Sequence, residues 1–181
     1  MKEHKIVQFV FFETILDSEA FILQWERYER SVNSDVNVTL QQQVLTNGTF
    51  KYISQHRSAS GEFEFIFMRE KRSSKTPEVK IKGKQAGGYS VLQHETNNDL
   101  KADESKIFVF IRQPLTDLDI FRQFSVRGKL NIYEAYYENC DFTFILEFFV
   151  KDEYARDVLQ QLKILTSFEE AGIYKECLVH M

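Results

Sequence analysis

The stretch FTFILEFFV at Phe142–Val150 carries the strongest structural signal in the sequence, because β-branched and aromatic residues make both its odd-numbered and its even-numbered positions hydrophobic. Such a run is typical of a strand that is buried on both faces. A second run of this kind, KIFVFIR, lies at Lys106–Arg112. Leu130–Tyr137 is also strand-like, and the turn Glu138–Asp141 has the length of a hairpin loop. The sequence therefore predicts that Leu130–Tyr137 and Phe142–Val150 pair as a hairpin.

Helical patterns separate these strands. Asp117–Arg127 carries a short helical pattern with Asp117 as N-cap. After Asp152, apolar residues recur at helical spacing, namely Tyr154, Val158, Leu159, Leu162 and Leu165. Ile173–Val179 closes this half as a strand. The order strand, helix, strand, strand, helix, strand predicts a ferredoxin-like βαββαβ unit.

The first half of the chain is predicted to repeat this order. A helix is expected from Asp17, and Gly61–Lys71 fits a strand or a helix by periodicity, with its place in the repeat favouring a helix. Residues 38–53 align without a gap on residues 130–145, which places Asn47 on Asn139. Strands are expected at Lys5–Phe12, Val38–Leu45, Phe50–Arg57 and Val79–Gln93.

These patterns predict an α+β protein made of two ferredoxin-like repeats, at residues 1–94 and 106–181, joined by a polar linker at residues 95–105. Because strands in both halves are hydrophobic on both faces, their antiparallel sheets are expected to pack together as a pseudo-two-fold α+β barrel. We accordingly expect a monomer that contains an internal pseudo-dimer. The alternative is that two ferredoxin-like units share such a pattern without a duplication.

Composition and charge exclude several classes of protein. The 181 residues include 17 Phe but only 7 Gly and 2 Pro, which excludes a disordered or collagen-like chain. A net charge of −4 without a basic tract argues against a nucleic-acid partner. The apolar runs are too short to span a bilayer, so no membrane partner is expected. Without a cleavable leader or a cysteine framework, we expect a cytoplasmic protein.

Tandem copies of the predicted unit resemble the dimeric α+β barrel superfamily, of the antibiotic-biosynthesis-monooxygenase type. The resemblance rests on element order and hydrophobic pattern over nearly the whole chain. It implies ligand pockets between each sheet and its helices, and a function among cofactor-independent oxygenases of aromatic substrates, haem-degrading enzymes or proteins without known activity. The Asn, Trp and His set of the haem-degrading branch has no match here, since Trp25 lies on the first predicted helix. We therefore expect no cofactor and no metal.

His56 and Arg57 are the predicted catalytic residues. They end the third strand of the first repeat, where the second repeat has Phe148 and Phe149, which suggests that only one repeat keeps an open pocket. A neutral His56 would take a proton from a phenolic substrate, and Arg57 would hold the resulting oxyanion. The alternative is that both residues cap a strand end. The predicted substrate-binding residues are Gln8, Trp25, Tyr52 and Gln55.

Two functions remain open from the sequence. The first is a small-molecule enzyme that resembles cofactor-independent monooxygenases and acts on phenol- or quinol-like aromatic molecules. The second is a non-catalytic barrel that binds a ligand or a protein. A His56 ring inside an enclosed cavity near Arg57 or a glutamine favours the enzyme, and a His56 on open surface favours binding. Arg112 and Glu147 are a further candidate pair, for an internal and structural salt bridge.

Overall fold

A computed structural model describes residues 6–14, 17–32, 36–45, 50–58, 81–93, 100–115, 117, 119–126, 129–136 and 140–177. Within these residues the strands are β1 (Ile6–Thr14), β2 (Val36–Leu45), β3 (Tyr52–Ser58), β4 (Ile81–Gln93), β5 (Glu104–Ile111), β6 (Leu130–Ala135), β7 (Phe144–Lys151) and β8 (Glu170–Glu176). The α-helices are α1 (Ser18–Val32) and α2 (Ala155–Leu165). Short 3-10 helices span Asp119–Phe124 and Asp152–Tyr154.

All eight strands form one closed antiparallel barrel. Around the barrel they follow the order β1-β3-β2-β8-β5-β7-β6-β4, and β4 pairs with β1 to close it. Residues 6–93 supply the continuous arc β4-β1-β3-β2, and residues 104–176 supply the arc β8-β5-β7-β6. The two arcs meet at two seams, where β2 pairs with β8 and β4 pairs with β6.

The predicted fold class, an α+β protein of two ferredoxin-like repeats, is wrong. The strands of both halves are hydrogen-bonded edge to edge into a single barrel, and helices are few in the described residues. Closure has a physical cause, because separate sheets would leave exposed edge strands whereas a closed barrel pairs every strand on both sides. The predicted boundary at residues 95–105 stays a prediction, although β5 already begins at Glu104.

Several single elements were predicted correctly. The strand at Phe142–Val150 is confirmed as β7, and the helix after Asp152 is confirmed as α2. The short helix predicted at Asp117–Arg127 forms as the 3-10 turn Asp119–Phe124. The helix predicted at Gly61–Lys71 lies outside the described residues.

Aromatic side chains fill the barrel interior. Phe9 on β1 contacts Phe108 on β5 with ring centroids 6.4 Å apart, and these strands are not neighbours, so the contact crosses the interior. Phe9 also meets Tyr133 edge to face at 4.9 Å, and Phe11 meets Phe110 in the same way at 4.9 Å. Edge-to-face packing is the favoured geometry for such rings. The interior is therefore a packed core rather than a channel over this length.

The outer face of the barrel is also apolar where the helices cover it. Phe21 and Trp25 of α1 pack on β2 and β3, and the Phe21 ring stacks on Tyr52 at 3.8 Å. Leu159 and Leu162 of α2 belong to a second outer cluster on β5 and β7. Strands such as β5 and β7 are thus hydrophobic on both faces because one face fills the barrel and the other receives a helix.

Replacement of Phe9 by Ala tests the interior packing. Phe9 is fully buried among aromatic rings, so Phe9→Ala should lower the free energy of unfolding by about 3–5 kcal/mol in urea denaturation. Ile164→Ala on α2 is the control, because Ile164 is 85% exposed and its loss should change stability by about 0.5 kcal/mol or less. Equal, small losses for both variants would contradict an interior packed around Phe9.

Candidate functional site

The barrel interior changes from aromatic to polar towards one end. Side chains alternate along a strand, so Lys106 shares the inner face of β5 with Phe108, and Gln55 and Arg57 share that of β3 with Ile53. These polar residues help to line a cavity of about 640 Å³. Its volume is typical of a small-molecule pocket. Its wall consists of Thr39, Gln55, Arg57, Leu100, Lys101, Ala102, Glu104, Lys106, Lys175 and Glu176.

A buried ion pair lies at the boundary between the aromatic core and this cavity. The Lys106 Nζ atom is 2.9 Å from Glu147 Oε1, and the two side chains are 4% and 0% exposed. The other carboxylate oxygen of Glu147, Oε2, accepts hydrogen bonds from Tyr133 Oη at 2.6 Å and from Asn131 Nδ2 at 2.9 Å. The Lys106 ammonium also lies 5.5 Å from the centre of the Phe149 ring. The charge of Glu147 is thereby compensated on both oxygens.

These contacts fix the protonation states of the network. Burial alone would raise the pKa of Glu147, but the Lys106 charge and the hydrogen bonds from Asn131 and Tyr133 outweigh it and lower the pKa to about 2. Burial, followed by the Glu147 charge, raises the pKa of Tyr133 well above its ordinary value. At neutral pH Glu147 is therefore a carboxylate and Tyr133 a neutral hydroxyl, so both act as fixed groups.

Arg57 connects this network to the cavity. Its Nη2 atom donates to Tyr133 Oη at 3.4 Å, and its buried Nε atom has no hydrogen-bond partner among the described residues. Gln55 lines the same cavity, and its buried Nε2 atom also lacks an acceptor in the described part of the chain, while its Oε1 accepts from Thr39 Oγ1 at 3.2 Å. Buried donors are nearly always paired in folded proteins. Two residues of the cavity wall therefore each carry a buried donor that lacks an acceptor among the described residues.

The predicted catalytic pair is not assembled. Alternation along β3 sends Arg57 to the barrel interior and His56 to the outer face, where His56 lies in register between Gln8 and Val38. Trp25 and Tyr52 also belong to the outer face, in the cluster under α1. Of the sequence-predicted site residues, only Gln55 and Arg57 share the cavity.

His56 occupies neither of the two environments considered from the sequence. It is 4% exposed, so it does not lie on open surface, and its Nε2 atom is 2.9 Å from Ser54 Oγ on the same strand. Burial lowers the pKa of His56 to about 4. The imidazole is therefore neutral at physiological pH and separated from the cavity by the strand itself.

The sequence reasoning missed Lys106, Asn131 and Glu176 as residues of the site, and it named Glu147 with another partner. The suggested pairing of Arg112 with Glu147 is wrong, because Glu147 bonds Lys106 whereas Arg112 lies 3.8 Å from Glu169. The sequence did contain a signal for the buried ion pair. Lys106 and Glu147 are charges of opposite sign within two apolar strands, and charges buried there need a partner.

Comparison with known proteins adds no assignment, because no protein-family model and no curated protein matches the chain. In the described ranges, no group of three or more His, Cys, Asp or Glu side chains could hold a metal ion. No helix in the part that the structure covers is long and apolar enough to cross a bilayer. The cavity and its buried donors are therefore the features of the described residues that bear on function.

Titration of His56 should control acid stability at mildly acidic pH. The folded pKa of about 4 lies below the ordinary value of 6.5, so the unfolded chain binds its proton first as the pH falls. Stability present above pH 6.5 should decline towards pH 4, by about 3 kcal/mol in total. Urea denaturation across this range measures the decline, and His56→Gln should flatten it.

The carboxylate of Glu147 provides an internal reference for that experiment. Its folded pKa of about 2 lies below the ordinary value of 4.5, so its contribution is present above pH 4.5 and is lost towards pH 2. Most of the loss from Glu147 falls below pH 4.5, so the difference between wild type and His56→Gln from pH 6.5 to 4.5 reports on His56. An identical slope in wild type and His56→Gln over this interval would contradict the assignment.

The buried ion pair should behave as a coupled unit. Glu147→Gln removes the nearer carboxylate from the buried Lys106 charge, which keeps only Glu176 at 3.8 Å, and should lower the free energy of unfolding by about 3 kcal/mol. Adding Lys106→Met should restore much of this loss, because the neutral Gln still accepts hydrogen bonds from Asn131 and Tyr133. A double-mutant cycle in urea measures the coupling. Additive losses would show that the two charges do not depend on each other.

Proposed function

We propose that this barrel binds a small organic anion in the cavity at its polar end. One observation carries the proposal, namely that Arg57 and Gln55 line the same cavity and that each has a buried donor atom, Nε of Arg57 and Nε2 of Gln55, without an acceptor among the described residues. A carboxylate or phenolate oxygen would supply the missing acceptors.

The electrostatics of the wall favour an anion over a neutral ligand. Lys106 is bonded to Glu147, and Lys175 is bonded to Asp152 at 2.6 Å. Arg57, in contrast, has no carboxylate within ion-pair distance in the described chain, and its one hydrogen bond goes to the neutral hydroxyl of Tyr133. A half-buried guanidinium presents a planar set of donors that matches a carboxylate. Arg57 is thus the anchor, as the sequence suggested for an oxyanion.

Binding is better supported than the predicted oxygenase reaction. That reaction, on phenol- or quinol-like molecules, used His56 as the base beside Arg57, and the two side chains lie on opposite faces of β3. The two groups of the buried network beside Arg57 are poor proton acceptors at neutral pH, because Glu147 has a pKa of about 2 and the raised pKa of Tyr133 keeps it a neutral hydroxyl. Phenolates stay within the proposed ligand class. The cytoplasmic location stays a prediction from the sequence.

Titration calorimetry with benzoate and benzamide tests the proposal. The two probes have the same shape and differ in charge, so wild type should bind benzoate more tightly. Arg57→Gln should weaken benzoate binding by about tenfold or more, the value of a lost charge-assisted hydrogen bond, and should change benzamide binding little.

Arg112→Gln is the matched control, because Arg112 lies outside the cavity wall and pairs with Glu169. This variant should bind benzoate as wild type does. Equal affinities of wild type for benzoate and benzamide, or unchanged benzoate binding in Arg57→Gln, would refute an anion site at Arg57.

A further inference from the structure

We infer that the cavity selects ligands with a single negative charge and that Glu176 is the residue that excludes a second one. The inference rests on the proposed function, since it assumes that Arg57 anchors an organic anion. It concerns the charge of the ligand, which the unpaired donors alone do not determine.

The first negative group has one favourable position. Among the cations of the wall, Lys106 and Lys175 already hold the carboxylates of Glu147 and Asp152. Lys101 is exposed, so solvent screens its charge. Arg57 is the half-buried cation without a carboxylate in the described residues, so a single anionic group would be drawn to it.

A second negative group would meet the carboxylates of the wall itself. Glu176 lines the cavity, and its Oε2 atom lies 3.8 Å from Lys106 Nζ and 3.5 Å from the donating Gln41 Nε2. These contacts hold the Glu176 carboxylate at the wall although the side chain is 44% exposed. Glu104, another lining carboxylate, accepts from the backbone N of Lys101 at 3.3 Å.

Lys106 is poorly placed to neutralise an additional charge. Its ammonium already faces two carboxylates, Glu147 at 2.9 Å and Glu176 at 3.8 Å. A ligand with a second carboxylate would therefore add a negative charge to a wall whose Lys106 and Lys175 are already bonded to carboxylates. Like charges within one cavity repel, and they repel more strongly in a partly buried site than in water.

The test compares benzoate with terephthalate, which adds a second carboxylate to the same ring. By titration calorimetry wild type should prefer benzoate by about threefold to tenfold, the range expected for a partly exposed repulsive pair. Glu176→Gln keeps the shape of the side chain and removes its charge, so it should strengthen terephthalate binding more than benzoate binding. High salt should narrow the wild-type preference as well, a response that a steric effect would not give.

Glu169→Gln is the control, because Glu169 lies outside the cavity wall and should leave the preference unchanged. Wild type that binds terephthalate as tightly as benzoate, or a preference that Glu176→Gln does not alter, would overturn the selection by Glu176 while leaving the anion site intact. Failure of wild type to bind benzoate would overturn the anion site and the selection together.

Discussion

The ion pair between Lys106 and Glu147 is the constraint on which the site depends. Both charges lie inside the barrel, where an uncompensated charge would be strongly unfavourable, so each requires the other at hydrogen-bonding distance. Glu147 in turn orients the Tyr133 hydroxyl, and this hydroxyl accepts from Arg57. The Tyr133 ring therefore packs in the aromatic core, and its hydroxyl contacts Arg57 of the cavity wall. The pair separates a packed region from a region that can receive a ligand.

The closed barrel explains why this arrangement is possible in a chain of 181 residues. Closure pairs every strand with two neighbours, so the backbone needs no second sheet to protect its edges. The helices α1 and α2 cover parts of the outer face. Inside the barrel, aromatic side chains fill one part of its length and polar side chains line the cavity at the other. The position of a residue along its strand decides whether it serves packing or binding.

Much of the local structure could be predicted from the sequence, and the closure could not. The segments that form β5 and β7 have apolar residues at both odd-numbered and even-numbered positions, which is a local property of the sequence. The pairing of β2 with β8 joins distant segments, and no local pattern reports it. At the site, Arg57 was predicted as an anion anchor, but the period of two in β3 already implied that His56 faces away from it. His56 and Arg57 are polar neighbours in sequence, but adjacent residues on a strand point to opposite faces and do not share a site.

The seam between β2 and β8 has a consequence for biosynthesis. Gln41 and Glu176 are hydrogen-bonded across it although they lie 135 positions apart. As the nascent polypeptide leaves the ribosome, β2 has only one of its two neighbours until the last strand of the barrel is made. During that interval its free edge is open to unwanted association with other chains, and the barrel cannot close until β8 has been synthesised.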